Sequence, residues 1–316
     1  MTSFLEFEKP IAALHARIEE LRETADNDSI DLEADIGKLQ AKADRMLALT
    51  YANLTPWQKT RVARHPDRPH FHDFITHMFS DFMPLCGDRL FAEDAAIIGG
   101  FARLGGHAVM VIGHEKGSDT ESRLKHNFGM GRPEGYRKAV RLMDMAERFN
   151  LPVITLVDTS GAFPGVDAEE RGQAEAIARA TERCLSLHVP MVAVIVGEGG
   201  SGGAIALAAA ERVLMLEHAV YSVISPEGCA SILWRTADKA DEAAEAMRIT
   251  AQQLKNLGVI DRIVEEPVGG AHRDPDAAIS DLRQAVTEEL DSLLAKTATE
   301  RRQMRHDKYL AIGEIH

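Results

Sequence analysis

At 316 residues with 45% apolar content, the chain can bury the core of one large domain or of a domain plus a helical appendage, which excludes a disordered or fibrous class. Its 49 acids outnumber its 36 bases, giving a net charge of -13, so the basic footprint that a nucleic-acid binder needs is missing and nucleic acid is not an expected partner. Cys86, Cys184 and Cys229 are too few and too scattered for a disulfide framework or a CxxC zinc knuckle, so no structural metal is expected and a reducing cytosol fits. The first ten residues carry acids where a signal peptide carries bases. No apolar run approaches the roughly 20 residues of a membrane helix, so the expectation is a cytoplasmic protein without a membrane partner.

In chain order, Ile11, Leu14, Ile18 and Leu21, then Leu32, Ile36, Leu39, Ala43 and Met46, recur at helical spacing around a polar stretch at 24–29. This predicts a helical hairpin over 1–53, assigned to assembly because its apolar stripes hold no convergent polar group. Residues 54–72 read as an extended basic connector: Pro56, Pro66 and Pro69 oppose a long helix, and Lys59, Arg61, Arg64 and Arg68 concentrate charge that is either solvated or anion-binding. Strands at 97–101 and 107–112 flank Leu104-Gly-Gly106 as a hairpin. Helix and strand then alternate, with helices from Pro133 to about Asn150, over 168–187 and over 201–212, and buried strands over 152–157 and 191–196. Thr250 caps a short helix that stops at Gly258, a last strand spans 259–264, and helices over 275–296 and 299–311 end the chain. The body, 73–296, is therefore α/β, with a separate terminal helix over 297–316.

Ligands of such folds bind where buried strands hand over to helices. Both handovers here are glycine-rich: Asp158-Thr-Ser-Gly-Ala-Phe-Pro-Gly165 and Gly197-Glu-Gly-Gly-Ser-Gly-Gly203, the second with five glycines in seven residues. Glycine lets backbone approach a ligand and leaves N–H groups aimed at it in front of a helix dipole, an oxyanion-binding design, although at a strand-to-helix turn it also serves purely steric ends. Two shorter patterns overlap the second segment. Gly197, Gly199 and Gly202 fit G-x-G-x-x-G with Glu217 as the ribose acid, and Gly199-Gly-Ser-Gly-Gly203 fits a nucleophile elbow with Ser201 served by Asp238 or Asp261 and His272. Glu198, Asp158, Glu227 and His126 sit where a general base could act, and are read as loop-ordering groups.

Longer strings carry a more specific message. Asn127-Phe-Gly-Met130, Arg132-Pro-Glu-Gly-Tyr-Arg-Lys138, Gly161 to Gly165 with Ala168-Glu-Glu-Arg-Gly172, Gly197-Glu-Gly-Gly-Ser-Gly-Gly-Ala204 and Tyr221-Ser-Val-Ile-Ser-Pro-Glu-Gly-Cys-Ala-Ser-Ile-Leu-Trp234 resemble the alpha subunits of bacterial acetyl-CoA carboxylase carboxyltransferases over nearly the whole chain. The resemblance implies a crotonase-like fold of repeated β-β-α units and carboxyl transfer from carboxybiotin to acetyl-CoA. It also implies no covalently bound cofactor, zinc confined to a beta subunit, an α2β2 core, and work alongside the biotin carboxyl carrier protein and biotin carboxylase. By the same resemblance Gly202, Gly203 and the N–H of Ala204 form the hole for the biotin ureido oxygen, in space that a side chain at Gly203 would fill. Gly161, Ala162, Phe163, Gly165, Gly199 and Gly200 line the cleft. Ser160, Phe163 and Asp167 stand where the family pattern has proline, tyrosine and glycine. A single-chain acyl-CoA hydratase, isomerase or thioester hydrolase, and a catalytically silent scaffold, are the alternatives.

One charge contrast adds a further expectation. Between 123 and 141, Arg123, Lys125, Arg132, Arg137, Lys138 and Arg141 are opposed locally only by Glu134. Arg137 and Arg141 either form ordinary helix surface or draw in the phosphates of CoA or the carboxylate of carboxybiotin.

Overall fold

The computed structural model describes residues 3–28 and 32–313. Helices α1 (Lys9–Asp28) and α2 (Glu33–Ala52) pack together through Ile11, Ile18 and Ala43, so α1 takes up most of the expected polar break, and residues 29–31 lie outside the described residues. Glu8 roots the pair: its buried carboxylate accepts from Tyr51 Oη at 3.0 Å and from Arg273 Nη2 at 2.6 Å.

The expected extended connector is not extended. It opens with helix α3 (Pro56–Ala63), because Thr55 Oγ1 accepts the Gln58 N–H at 3.2 Å while Gln58 Oε1 accepts the Thr55 N–H at 2.9 Å. Proline at the first helical position forfeits only a donor that has no intrahelical partner. Helix α4 (Phe71–Met78) follows and buries Phe71, Phe74, Ile75 and Met78.

A mixed sheet occupies the centre. Strands β1 (Ser80–Pro84), β2 (Ile97–Leu104) and β3 (His107–His114) are antiparallel neighbours, and α5 (Thr120–Lys125) and α6 (Pro133–Arg148) lead back to β4 (Val153–Thr159), parallel to β3. The expected helix over 168–187 is two: α7 (Val166–Glu170) and α8 (Gln173–Ser186), divided at Gly172, whose φ of +81° ends the first. Next come β5 (Met191–Gly200), α9 (Ser201–Ala208), β6 (Arg212–Leu216), β7 (Val220–Ser222), α10 (Pro226–Trp234), α11 (Ala240–Met247) and α12 (Ala251–Asn256). After them stand β8 (Arg262–Val264), α13 (Pro275–Leu294) and α14 (Ala298–Ala311). The strand order is β1-β2-β3-β4-β5-β6-β8, with β7 paired to the end of β5. Every residue of β4 and β5 is buried, as their unbroken apolar runs require for strands covered on both faces.

Helix α14 belongs to this same core rather than hanging free. Arg305, 1% exposed, donates to the Cys184, Leu185 and Leu187 carbonyls at 2.6–3.0 Å, satisfying the C-terminal end of α8, and pairs with buried Glu211 at 2.5 Å.

Candidate functional site

The first glycine segment leaves β4 and is pinned from three sides. Thr159 Oγ1 donates to the Gly161 carbonyl at 2.7 Å, the Phe163 N–H donates to Gly131 O at 3.0 Å, and Gln173 Nε2 donates to Gly131 O and Phe163 O at 2.9 and 3.0 Å. The break at Gly172 is what brings Gln173 into that position. A Cβ at Gly165 would lie 2.3 Å from the Phe163 ring and 2.5 Å from Asp167 Oδ1, so a side chain there displaces one or both, while Gly161 has open space beside it and a φ of +148°. Phe163 carries no hydroxyl, and its ring instead lies under the Arg132 guanidinium at 4.1 Å. Asp167 pairs with Arg132 and, at 3.4 Å, with Arg171. Phe163 and Asp167, two of the three positions noted above, are thus joined through one arginine.

The second segment is less of a loop than its composition predicts. Gly197 to Gly200 continue β5, because Glu198, Gly199 and Gly200 pair with Val220, Tyr221 and Ser222 of β7. The chain then turns in one step at Ser201, with φ +51°, into α9. A Cβ at Gly200 would sit 2.3 Å from Ser160 O, and one at Gly203 would sit 2.8 Å from Gly161 C and 2.9 Å from Ala162 N. The two glycine segments therefore abut backbone to backbone, and the space beside Gly203 holds Gly161 and Ala162 rather than room for a ligand oxygen. The N–H groups of Gly202 and Gly203 lie in the first turn of α9, which supplies no intrahelical acceptors for them, whereas the Ala204 N–H, fourth in the helix, faces the carbonyl of the N-cap Gly200. Among the described residues, no turn, loop or cap hydrogen bond outside the helices and strands uses the Gly202 or Gly203 N–H. Free donors at the positive end of a helix dipole form an anion-binding arrangement.

Neither short pattern is completed. Ser201 has the exposed, positive-φ geometry of a nucleophile elbow, yet the cavity of about 750 Å³ beside it is walled by Ile205, Tyr221, Val223, Met247 and Ile249, and no histidine or acid lines it. His272 is buried elsewhere, stacked on His65 at 3.9 Å. Glu217 accepts the Glu266 N–H at 3.2 Å, so it serves a neighbouring segment and not a ribose.

The loop carboxylates are all engaged. Glu198 accepts from Arg64 Nε and Nη2 at 2.9 and 2.6 Å, and Glu227 accepts from Arg64 Nη1 at 2.6 Å. Asp158 accepts the Glu198 N–H at 2.8 Å and pairs with Lys116 at 2.6 Å. A Cβ at Gly197 would stand 2.4 Å from Asp158 Oδ1, which is why glycine occupies that position. Burial alone would raise the Glu227 carboxyl, but the Arg64 guanidinium holds it below its ordinary range. His126 Nδ1 faces the Ala95 carbonyl at 2.6 Å, a structural contact. Arg64 and Lys116 were not singled out as site residues from the sequence; the one available signal was the basic run 59–68.

Arg137 and Arg141 are committed within the chain. Arg137 donates to Asp88 at 2.8 Å, Glu134 at 2.9 Å and the Arg171 carbonyl at 3.0 Å, and Arg141 donates to the Gly87, Leu85 and Cys86 carbonyls at 3.0–3.1 Å. Asp88, Glu93 and Asp167 answer the basic island across the fold, out of reach of a local sequence window, while the Asp94 carboxylate accepts the Arg132 backbone N–H. Replacing Arg137 and Arg141 together by Glu is expected to cost about 3 kcal/mol of stability, since it leaves Asp88 buried without its partner. Denaturant unfolding at low and high salt measures this. A change only in salt-screened KM would restore these arginines to substrate capture.

Among the described residues, no group of three or more His, Cys, Asp or Glu side chains could hold a metal, and no helix is long and apolar enough to cross a membrane. Solved structures with the same fold include transcarboxylase 12S, at TM-score 0.60 and 19% identity over 75% of this chain, and the beta subunit of geranyl-CoA carboxylase from P. aeruginosa, at 0.57 and 17% over 80%. This chain spans 44% and 46% of those two, whereas it covers 84% of a malonate decarboxylase chain from Pseudomonas at TM-score 0.57 and 18% identity. The chain thus shares the fold of these three structures. Among sequences, the acetyl-coenzyme A carboxylase carboxyl transferase subunit alpha of Rhizorhabdus wittichii is 70% identical over 99% of this chain and 100% of its own length, and that of Zymomonas mobilis is 66% identical over the same shares. The family described as acetyl co-enzyme A carboxylase carboxyltransferase-like matches residues 4–313, and with the full-length relatives it places this chain among the alpha subunits of acetyl-CoA carboxylase carboxyltransferase.

Proposed function

We propose that the chain moves the carboxyl group of carboxybiotin, carried on the biotin carboxyl carrier protein and charged by biotin carboxylase, to acetyl-CoA, giving malonyl-CoA. It does so in the cytoplasm as half of an α2β2 core whose beta subunit carries the zinc. The observation that carries this reading is the pair of amides at Gly202 and Gly203 in the open first turn of α9, roofed by Gly161 and Ala162. Carboxybiotin supplies CO2 and, in its ureido nitrogen, the acceptor for the α-proton of acetyl-CoA. The thioester enolate then attacks the CO2. Negative charge builds on the ureido oxygen as the N–CO2 bond breaks, and donors fixed in advance stabilise it by several kcal/mol without titrating. This accounts for a cleft whose carboxylates are all engaged by cations: Glu198, Asp158 and Glu227 order backbone and leave the proton to the substrate.

The acetyl thioester needs a second hole, which we assign to the beta subunit. Surfaces for assembly are available, since Leu14, Leu21, Ile36, Leu39 and Met46 of the hairpin are only half-buried by this chain, and Ile232 and Leu233 of α10 are 72% and 64% exposed. Malonyl-CoA formation from free carboxybiotin is expected to be undetectable with the purified chain alone and to appear on adding the zinc-ribbon subunit. Turnover by the chain alone would return the single-chain reading.

A further inference from the structure

We propose that Arg64 is a positioning residue for the oxyanion hole, holding the glycine strand that aims the Gly202 and Gly203 amides. The proposal rests on the reading of those amides as the ureido hole. From Gly197 to Gly203 the chain offers two side chains, Glu198 and Ser201, and Ser201 is exposed with no bonded partner for its hydroxyl among the described residues. Glycine-rich backbone has the most conformational freedom to lose, so such a segment keeps its shape only if held from outside. Beyond its backbone pairing with β7, the segment's single buried side-chain handle is Glu198, and Arg64 grips it.

The grip is bidentate, at 2.9 and 2.6 Å, on a carboxylate whose side chain is 6% exposed. Burial would lower the Arg64 pKa, but Glu198 and Glu227 together raise it, so the guanidinium stays charged throughout the working range. Arg64 is itself fixed, since it ends α3 with its N–H bonded to the Thr60 carbonyl at 3.2 Å. Its remaining donors engage Glu227 in the first turn of α10. On the opposite side, Asp158 holds the Glu198 N–H while Lys116 holds Asp158. The result is a chain of fixed charges, Lys116, Asp158, Glu198, Arg64 and Glu227, around the root of the glycine strand, three residues ahead of Ser201. A fork of this kind fixes orientation as well as distance, which a lysine point charge cannot do.

Catalytic donors misplaced by about 1 Å cost on the order of 10²-fold in rate. In the assembled complex, Arg64→Ala is expected to lower kcat by about 100-fold with the KM for acetyl-CoA changed less than about 3-fold, and Arg64→Lys to fall between. Free guanidinium, below denaturing concentration, should restore part of the Arg64→Ala rate and none of the Gly203→Val rate. Because Arg64→Ala strands a buried charge, the pair Arg64→Ala with Glu198→Gln is the second variant: it should fold and assemble, and remain slow. Wild-type kcat in that pair, or in Arg64→Ala while Gly203→Val is inactive, overturns the clamp alone. Full activity of Gly203→Val overturns the hole, and with it anything for Arg64 to position.

Discussion

Gly203→Val is expected to lower carboxyl transfer by about 10³-fold or more, the scale of losing a fixed oxyanion donor and disturbing its neighbour. The first added carbon already lies 2.8 Å from Gly161 C and 2.9 Å from Ala162 N, closer than real contacts allow, and both are backbone atoms that cannot swing aside. Valine adds two more methyl groups, so the first glycine segment and the start of α9 must separate, and the amides turn with them. The damage is thus to the roof and aim of the hole, not the filling of the ligand's own space. Malonyl-CoA formation by the reconstituted complex measures the loss, with secondary structure and retention of the beta subunit as controls. Near-normal turnover would move the hole elsewhere. Ser201→Ala is the companion: with no base near that hydroxyl, activity should stay within about 3-fold of wild type, and complete loss would revive a serine nucleophile.

Much of this site was legible in the sequence because backbone chemistry is written in glycine. Five glycines after an apolar run announced close approach, and Gly197, Gly199, Gly200 and Gly203 each leave too little room for a Cβ. What could not be read was what occupies that room. Asp158 against Gly197 and Ser160 against Gly200 are contacts between strands about 40 residues apart, and no local pattern encodes them. The extension of β5 through the glycines was missed for the same reason, since its partner β7 follows an intervening helix and strand.

The connector failed differently. Thr55 and Gln58 form a capping box with Pro56 in the first turn, a helix-start signal outweighed by counting prolines as breakers. Its bases then proved to be internal partners, with Arg64 on Glu198, Arg68 on Glu266 and Lys59 on Gln252. A basic run in an acidic protein advertises buried carboxylates as readily as an external anion, and only the fold decides. Helix boundaries that held include those at Pro133, Thr250, Gly258 and Pro275, whose signal lies within one turn of the boundary itself.

Acid is expected to destabilise the chain steeply below about pH 6.5, before most carboxylates titrate. Burial lowers His114 and His218 from 6.5 to about 4 and His272 to about 3, the last also opposed by His65, Arg68 and Arg273. These rings stay neutral when folded but take up protons once unfolded, so the stability they permit is full above 6.5 and drains away as pH falls toward 4. Asp94 acts in the opposite sense: burial raises it from 3.8 to about 6, so the folded state binds a proton that the unfolded state does not. Glu211, raised by burial against the pull of Arg305, adds to that offset. Three protons favour the unfolded chain and roughly one favours the folded, leaving about two, or about 3 kcal/mol per pH unit between pH 6 and 5. Denaturant midpoints across that interval measure the slope. His272→Phe should flatten it by about one proton and Asp94→Asn should steepen it by about one. Stability that is level from about pH 7 to 5, or an Asp94→Asn chain with the shallower slope, would show that these buried groups are protonated otherwise than their surroundings dictate.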